Sequence, residues 1–171
     1  FIQNRGLWFD ETASRDLESF ITPNYEDHTF ELWIKPFSTE MTIFSYRGGE
    51  HHLVEYFITA CRSIRTEWGT FRMETARDVF EDETWNHVAF VVDSRESTTY
   101  FSTYVNNHLQ VSGIASNKFL TSATREIYLG STAFADWFYY GYINSIDMYD
   151  YVKTDFDVRS DCRNIDGTLY T

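Results

Sequence analysis

Short alternating runs closed by polar turns dominate this chain, and they leave little room for anything but packed β-sheets. In the run 30–35, Phe30, Leu32 and Ile34 fall on one face, as a period of two requires. Pro36 closes it, because proline has no N–H to give a ladder. Runs at 41–46, 53–59 and 69–74 follow, the first closed by Arg47, Gly48 and Gly49. The strongest spans 85–93, where Val88, Phe90 and Val92 alternate with His87, Ala89 and Val91. The run 99–105 leads into Asn106 and Asn107, residues that tolerate the positive φ of a hairpin turn, and 108–112 is the expected return strand. Runs at 126–129 and 142–149 complete the set. Helical spacing is scarce: 15–20 and 154–158 each fit one short turn. Many short strands with turns every 8–12 residues predict an all-β antiparallel sandwich or barrel.

Composition fits that class. The 15 Phe, 12 Tyr and 5 Trp make 19% of the chain aromatic, and aromatics favour strands. With 171 residues the length is that of one domain, large enough to bury roughly 70% of its unfolded surface. Residues 1–158 read as that domain and 159–171, which lose the pattern, as a tail. No run approaches the roughly 18 apolar residues of a membrane helix. A net charge of −12 argues against nucleic acid and anionic membrane as partners. It suits divalent cations, basic partners or plain solubility. The chain opens inside an expected strand at 2–9, without initiator Met or signal peptide, and so reads as a processed protein or an excised domain.

Cys61 and Cys162 are too few for a zinc site and form no Cys-x-x-Cys pair. A disulfide between them would tie down the tail. Closing a loop of about 100 residues, it would stabilise by up to about 4.7 kcal/mol. Two buried free thiols, or bridges to further chain, are the alternatives. No Asn-x-Ser/Thr sequon adds evidence for an oxidising compartment.

In order along the chain, several segments resemble the laminin G-like, concanavalin A-like jelly roll. Gly6-Leu7-Trp8-Phe9-Asp10 is similar to that family's opening strand. Thr29 to Pro36 resembles its Trp-x-Lys-Pro strand, and Thr84 to Phe90 its Trp-x-His-Val-Ala strand. Tyr104-Val105-Asn106-Asn107 resembles Tyr-Val-Asn-Gly, with Asn107 where glycine is usual. Leu129-Gly130 and Phe138 to Ile143 resemble the closing segment, and Tyr149 the aromatic that ends the last strand. The resemblance spans 6–149. It implies a two-sheet β-sandwich and leaves function open among lectins, adhesion modules, glycosidases and structural domains.

The resemblance also implies a rim calcium site, with Asp82 three residues before Trp85 and Asp136 on the loop before the last strand. Calcium wants six to eight oxygens, so two carboxylates would need carbonyls and water beside them. Trp137, Phe138 and Tyr139, on an expected loop, are the candidates for stacking on a sugar. Asn107 joins them as a loop residue. Trp33 and Trp85 read as packing residues, and His87 as a structural hydrogen-bonding group.

His51 and His52 would point to opposite faces of a strand and make a poor metal site. Glucanases of this architecture carry Glu-x-Asp-x-Glu on one strand, and no such string occurs. Glu81-Asp82-Glu83 is contiguous, and Glu31 and Glu55 stand alone. Arg62, Arg65, Arg72 and Arg77 are dispersed and read as a solvated face. The expected function is therefore a non-catalytic, extracellular or cell-surface binding module. It would present the loops 81–84, 106–108 and 133–140 to a glycan or extracellular protein, with calcium as an aid. The rival is a structural bead of a filament, coat or larger protein, self-associating through exposed aromatics.

Overall fold

A computed structural model describes residues 6–10, 15–16, 27–48, 52–95, 97–116, 127–132, 136–155 and 157–158. Twelve strands form two six-stranded sheets, and every pairing is antiparallel. The strands are β1 (Leu7–Asp10), β2 (Arg15–Asp16), β3 (His28–Pro36), β4 (Met41–Gly48), β5 (His52–Ile58), β6 (Ile64–Trp68), β7 (Phe71–Glu74), β8 (Asn86–Arg95), β9 (Thr98–Val105), β10 (His108–Ala115), β11 (Ile127–Leu129) and β12 (Tyr140–Tyr149). Sheet A runs β1-β12-β3-β8-β9-β10, and sheet B runs β2-β11-β4-β5-β6-β7. This is the expected β-sandwich.

The core lies between the sheets. Phe30, Leu32 and Ile34 of β3, with Val88, Phe90 and Val92 of β8, face Phe44, Tyr46, Val54, Tyr56, Ile64 and Trp68 of sheet B. The rings interlock: Tyr56 and Phe90 have centroids 3.9 Å apart, and Phe30 and Phe44 4.8 Å apart. Each such buried side chain contributes roughly 1.5–3 kcal/mol. His28 is inside as well, its Nε2 2.7 Å from the Tyr46 hydroxyl.

Gly141 shows why the closing segment needs glycine. Its φ is +147°, and a Cβ there would lie 2.2 Å from the Lys35 carbonyl oxygen. Only a residue without Cβ lets β12 approach β3 this closely.

Sheet A is covered on its outer face too. The segment 151–158 crosses β3, β8 and β9, and Val158 packs with Ala89, Val91 and Tyr104. Thr29 Oγ1 donates to the Tyr151 carbonyl (2.9 Å), and Lys153 N–H donates back to Thr29 Oγ1 (3.1 Å). Tyr104 donates its hydroxyl proton to Asp155. At the centre, Lys153 Nζ lies 3.0 Å from Glu31 Oε2, with side-chain exposures of 1% and 4%. The same ammonium sits 3.4 Å from the Tyr149 ring centroid. The segment ends in the expected helical turn, where Val158 N–H donates to Thr154 O (3.1 Å). Thr154 and Asp157 cap it reciprocally: Thr154 N–H donates to the Asp157 carboxylate, and Asp157 N–H to Thr154 Oγ1.

Two expectations differ from the structure. Residues 15 and 16 form strand β2 against β11 in place of a helical turn. Strand β6 was not foreseen, because Thr66 occupies its central inward position and breaks the apolar signal. The run at 69–74 is correspondingly shorter: Gly69 (φ +58°) is in the turn and β7 starts at Phe71. The tail 159–171 lies outside the described residues.

Removing one member of a buried ion pair strands the other charge. Lys153→Ala is therefore expected to destabilise the domain by about 3–5 kcal/mol, read as a lower urea midpoint. The double replacement Lys153→Met with Glu31→Leu should recover most of that loss. A single-variant loss under about 1 kcal/mol would show that the pair does not hold the segment.

Candidate functional site

Register places the connections 37–40, 59–63, 81–85, 106–107 and 136–139 at one end of the sandwich. Gly141 pairs with Pro36, Ile34 with Asn86, Val88 with Val105, and Met41 with Ile58, so each of these strands meets its connection there. The three loops singled out from sequence are thus neighbours. Glu83 N–H donates to Pro36 O (2.8 Å), Asn106 N–H to His87 O (2.9 Å), and Phe37 N–H to Tyr140 O (3.0 Å).

At this end the outer face of sheet B carries buried Thr42, Ser45 and Phe57, half-buried Glu55, Arg65 and Glu67, and exposed Arg72 and Glu74. One register row on it reads Thr42, Phe57, Arg65, Glu74, and the next reads Ser45, Glu55, Glu67, Arg72. Trp137 stands over the first row. It is 52% exposed, and its ring meets Phe57 edge-on at 5.5 Å. Its carbonyl accepts the Thr42 N–H at 2.7 Å. Its φ is +52°, a left-handed conformation rare for a bulky side chain. The loop is tied further by Thr132, whose N–H donates to Asp136 O (3.2 Å) and whose hydroxyl donates to the Asp136 carboxylate. The indole is therefore half exposed on a fixed backbone.

Polar groups surround it. Thr42 Oγ1 donates to Glu55 Oε1 (2.8 Å). Arg65 lays its guanidinium over Phe57, 4.5 Å from the ring centroid, with Nε 2.8 Å from Glu67 Oε1. Burial raises the Glu55 carboxyl above its ordinary range. Nearby Glu67 and Asp136 reinforce this, while the Thr42 hydrogen bond and Arg65 oppose it. An apolar ring beside directional acceptors and donors is the equipment for binding a sugar, whose C–H face stacks while its hydroxyls bond.

The profile of the concanavalin A-like lectin/glucanases superfamily matches residues 11–159. The chain belongs to that superfamily. No curated protein sequence matches it. Among solved structures, it is similar to the CBM40 module of the Ruminococcus gnavus IT-sialidase bound to α2,3-sialyllactose. That match has 16% identity, covers 90% of this chain and 94% of that one, and has a TM-score of 0.73. It is also similar to domain 4 of AbnA, a GH43 extracellular arabinanase from Geobacillus stearothermophilus, in complex with arabinotriose. There the identity is 20% over 78% of this chain and 65% of that one, with a TM-score of 0.62. A third similar structure is the heptameric SAP-like pentraxin of Limulus polyphemus, at 15% identity, 86% and 77% coverage and a TM-score of 0.60. At these identities the likeness is one of fold.

Within this lectin/glucanase frame the residues expected from sequence separate. Trp137 is the exposed ring that was expected. Tyr139 is not: it is fully buried, edge-on to Phe9 at 6.0 Å, and belongs to the core. Phe138 is half-buried between them. Asn107 lies in the two-residue β9–β10 turn of sheet A, where φ values of 47° and 71° at Asn106 and Asn107 explain both asparagines. Asp82 faces Arg62, whose Nε donates to Oδ2 at 2.8 Å, and Asp78 shares the same guanidinium. Asp136 is tied to Thr132, as above. Among the described residues, no group of three or more His, Cys, Asp or Glu side chains is placed to hold a metal ion. Arg62 holds Asp82 through Oδ2, while Oδ1 has no hydrogen-bond partner among the described residues, so a calcium ion there would share the carboxylate with Arg62 and need further oxygens.

Cys61 is a free, half-buried thiol whose sulfur accepts a hydrogen bond from Arg77 Nη2 at 2.9 Å. Its expected partner, Cys162, lies outside the described residues, as does His51. His87 and Trp33 are packing residues, 5.3 Å apart. Glu31, isolated in sequence, is paired with Lys153. Glu55, also isolated in sequence, stands directly opposite Glu67. That juxtaposition is invisible without register.

A carboxyl whose pKa rises on folding holds its proton more tightly in the native state. Stability therefore falls as pH climbs from the ordinary glutamate range through the raised value. Glu55→Gln lacks this contribution. Its melting temperature should exceed that of wild type at neutral pH, and the gap should shrink toward zero as pH is lowered through the glutamate range. A gap independent of pH would assign the effect to packing.

Proposed function

We propose that this chain is a non-catalytic glycan-binding module whose site is the outer face of sheet B around Trp137. The observation that supports this most is the indole itself. It is half exposed, fixed by Phe57 and by the Thr42–Trp137 backbone bond, and flanked by Glu55, Asp136 and Arg65. The fold relatives include a sialidase CBM40 module and an arabinanase domain, each crystallised with a saccharide. The saccharides those two domains hold add weight to this reading by analogy of fold. A role outside the cell, on polysaccharides or surface glycans, goes with it.

The pairing of Glu67 supports binding in place of hydrolysis. A glycosidase needs an acid and a nucleophile or base flanking one bond. Glu67 is neutralised by Arg65 at 2.8 Å and Arg72 at 3.6 Å, which blunts it for either role. A second reading, assembly through aromatics, rests on a different surface. Trp8, 41% exposed, clusters with Tyr142 (4.7 Å), Tyr140 (5.3 Å) and Phe37 (5.7 Å) near the β1 edge of sheet A.

Glycan microarray binding followed by calorimetry separates the two surfaces. Trp137→Ala should weaken binding at least about tenfold while leaving the fold intact, as expected for an exposed anchor. Trp8→Ala should leave glycan affinity unchanged. Loss of binding in the Trp8 variant alone would move the site to sheet A.

Calcium is tested on the same protein. A rim site at 100 times its dissociation constant would add about 2.7 kcal/mol of stability. Because Arg62 already holds Asp82 through Oδ2, melting curves in calcium and in chelator are expected to coincide. A calcium-dependent rise abolished by Asp82→Ala would restore the ion to the site.

A further inference from the structure

The charge around Trp137 narrows the class of glycan, and this step rests on reading that face as the glycan site. Described side chains on the face include four carboxylates, Glu55, Glu67, Glu74 and Asp136, against two guanidinia, Arg65 and Arg72. Both guanidinia are already engaged. Arg65 lies 2.8 Å from Glu67 and over the Phe57 ring. Arg72 reaches Glu67 and Glu74, each at 3.6 Å.

The carboxylates linked to Trp137, by contrast, have no ion-pair partner among the described residues. Glu55 accepts one hydroxyl from Thr42 through Oε1, and Oε2 has no donor among the described residues. Asp136, the residue before Trp137, accepts only the Thr132 hydroxyl. Among the described residues the site therefore offers free acceptor capacity and no uncommitted cation. A neutral sugar supplies hydroxyl donors to those acceptors. The carboxylate or sulfate of an anionic sugar would bring a further negative charge next to Glu55 and Asp136, and like charges forced together in this way cost several kcal/mol.

We propose that this face selects neutral glycans, with a sugar ring stacked on Trp137 and its hydroxyls donating to Glu55 and Asp136, and rejects glycans that place a carboxylate or sulfate there. The selectivity is thus the reverse of what a sialic-acid site requires, although the fold is similar to that of a sialyllactose-bound module.

The test is a microarray of matched glycans, each neutral oligosaccharide printed beside its sialylated, uronic-acid or sulfated counterpart, read with wild type, Trp137→Ala and the double variant Glu55→Gln with Asp136→Asn. Wild type should bind neutral members in a Trp137-dependent way and their anionic counterparts at least about tenfold more weakly. The double variant should narrow that gap, and so should added salt. Trp137-dependent binding of anionic members as strong as or stronger than their neutral counterparts would overturn the selectivity and leave the glycan site standing. A gap that the double variant leaves unchanged would remove Glu55 and Asp136 as its cause. Absence of Trp137-dependent binding to any glycan would overturn the site and the selectivity together.

Discussion

The buried pair between Lys153 and Glu31 closes the outer face of β3 to solvent. An ammonium and a carboxylate withdrawn from water are tolerable only when they satisfy each other. Here they meet at 3.0 Å, with the Tyr149 ring against the ammonium. To reach Glu31, the chain must run 151–158 across β3, β8 and β9, and it brings Val158 down on Ala89, Val91 and Tyr104. Strand β3 is then buried on both faces. Sheet A thus gives up the outer surface around Thr29, Glu31, Ala89, Val91 and Tyr104 to its own chain.

On sheet B, strand β6 alternates Ile64, Thr66 and Trp68 inward with Arg65 and Glu67 outward. Cross-strand register then sets Glu55 against Glu67 and Phe57 against Arg65. On that face Phe57 is buried under the Arg65 guanidinium and the Trp137 indole. Trp137 itself is held at φ +52°. Strain of that kind persists where the surroundings over-determine it, here through Thr42, Thr132 and the Phe57 ring.

Strands whose central inward positions are apolar were legible from sequence, β3 and β8 above all; β9, with Thr99 and Thr103 inward, and the Asn106–Asn107 turn were legible as well. The segments that failed did so for identifiable reasons. Thr66 is buried with its hydroxyl 3.4 Å from that of Thr103, so β6 carries no continuous hydrophobic signal. Residues 15 and 16 are extended only because β11 pairs with them. Within the site, Trp137 could be picked out as a loop aromatic. Its neighbour Tyr139 looked the same in sequence but is pulled into the core, where its N–H donates to Gly130 O (2.8 Å) and its ring meets Phe9. Glu31 and Glu55 looked solitary because their partners are 122 and 12 residues away, joined only by the folded topology.

The rim loops favoured by sequence turn out to be close neighbours with different duties. The 106–107 turn is a minimal hairpin, and the 81–84 turn is pinned by Glu83 to Pro36 and by Asp82 to Arg62. Only the loop before β12 turns a large aromatic outward, and it does so over a sheet face. Recognition by this face, as proposed, would draw its polar groups from strands, which are held more firmly than loop side chains. Less conformational freedom is lost when a ligand arrives, so a modest contact area suffices for a useful affinity. The arrangement also ties specificity to strand register. Glu55, Arg65 and Glu67 cannot be repositioned without moving β5 against β6, so the polarity of the site is fixed by the same pairing that builds the core.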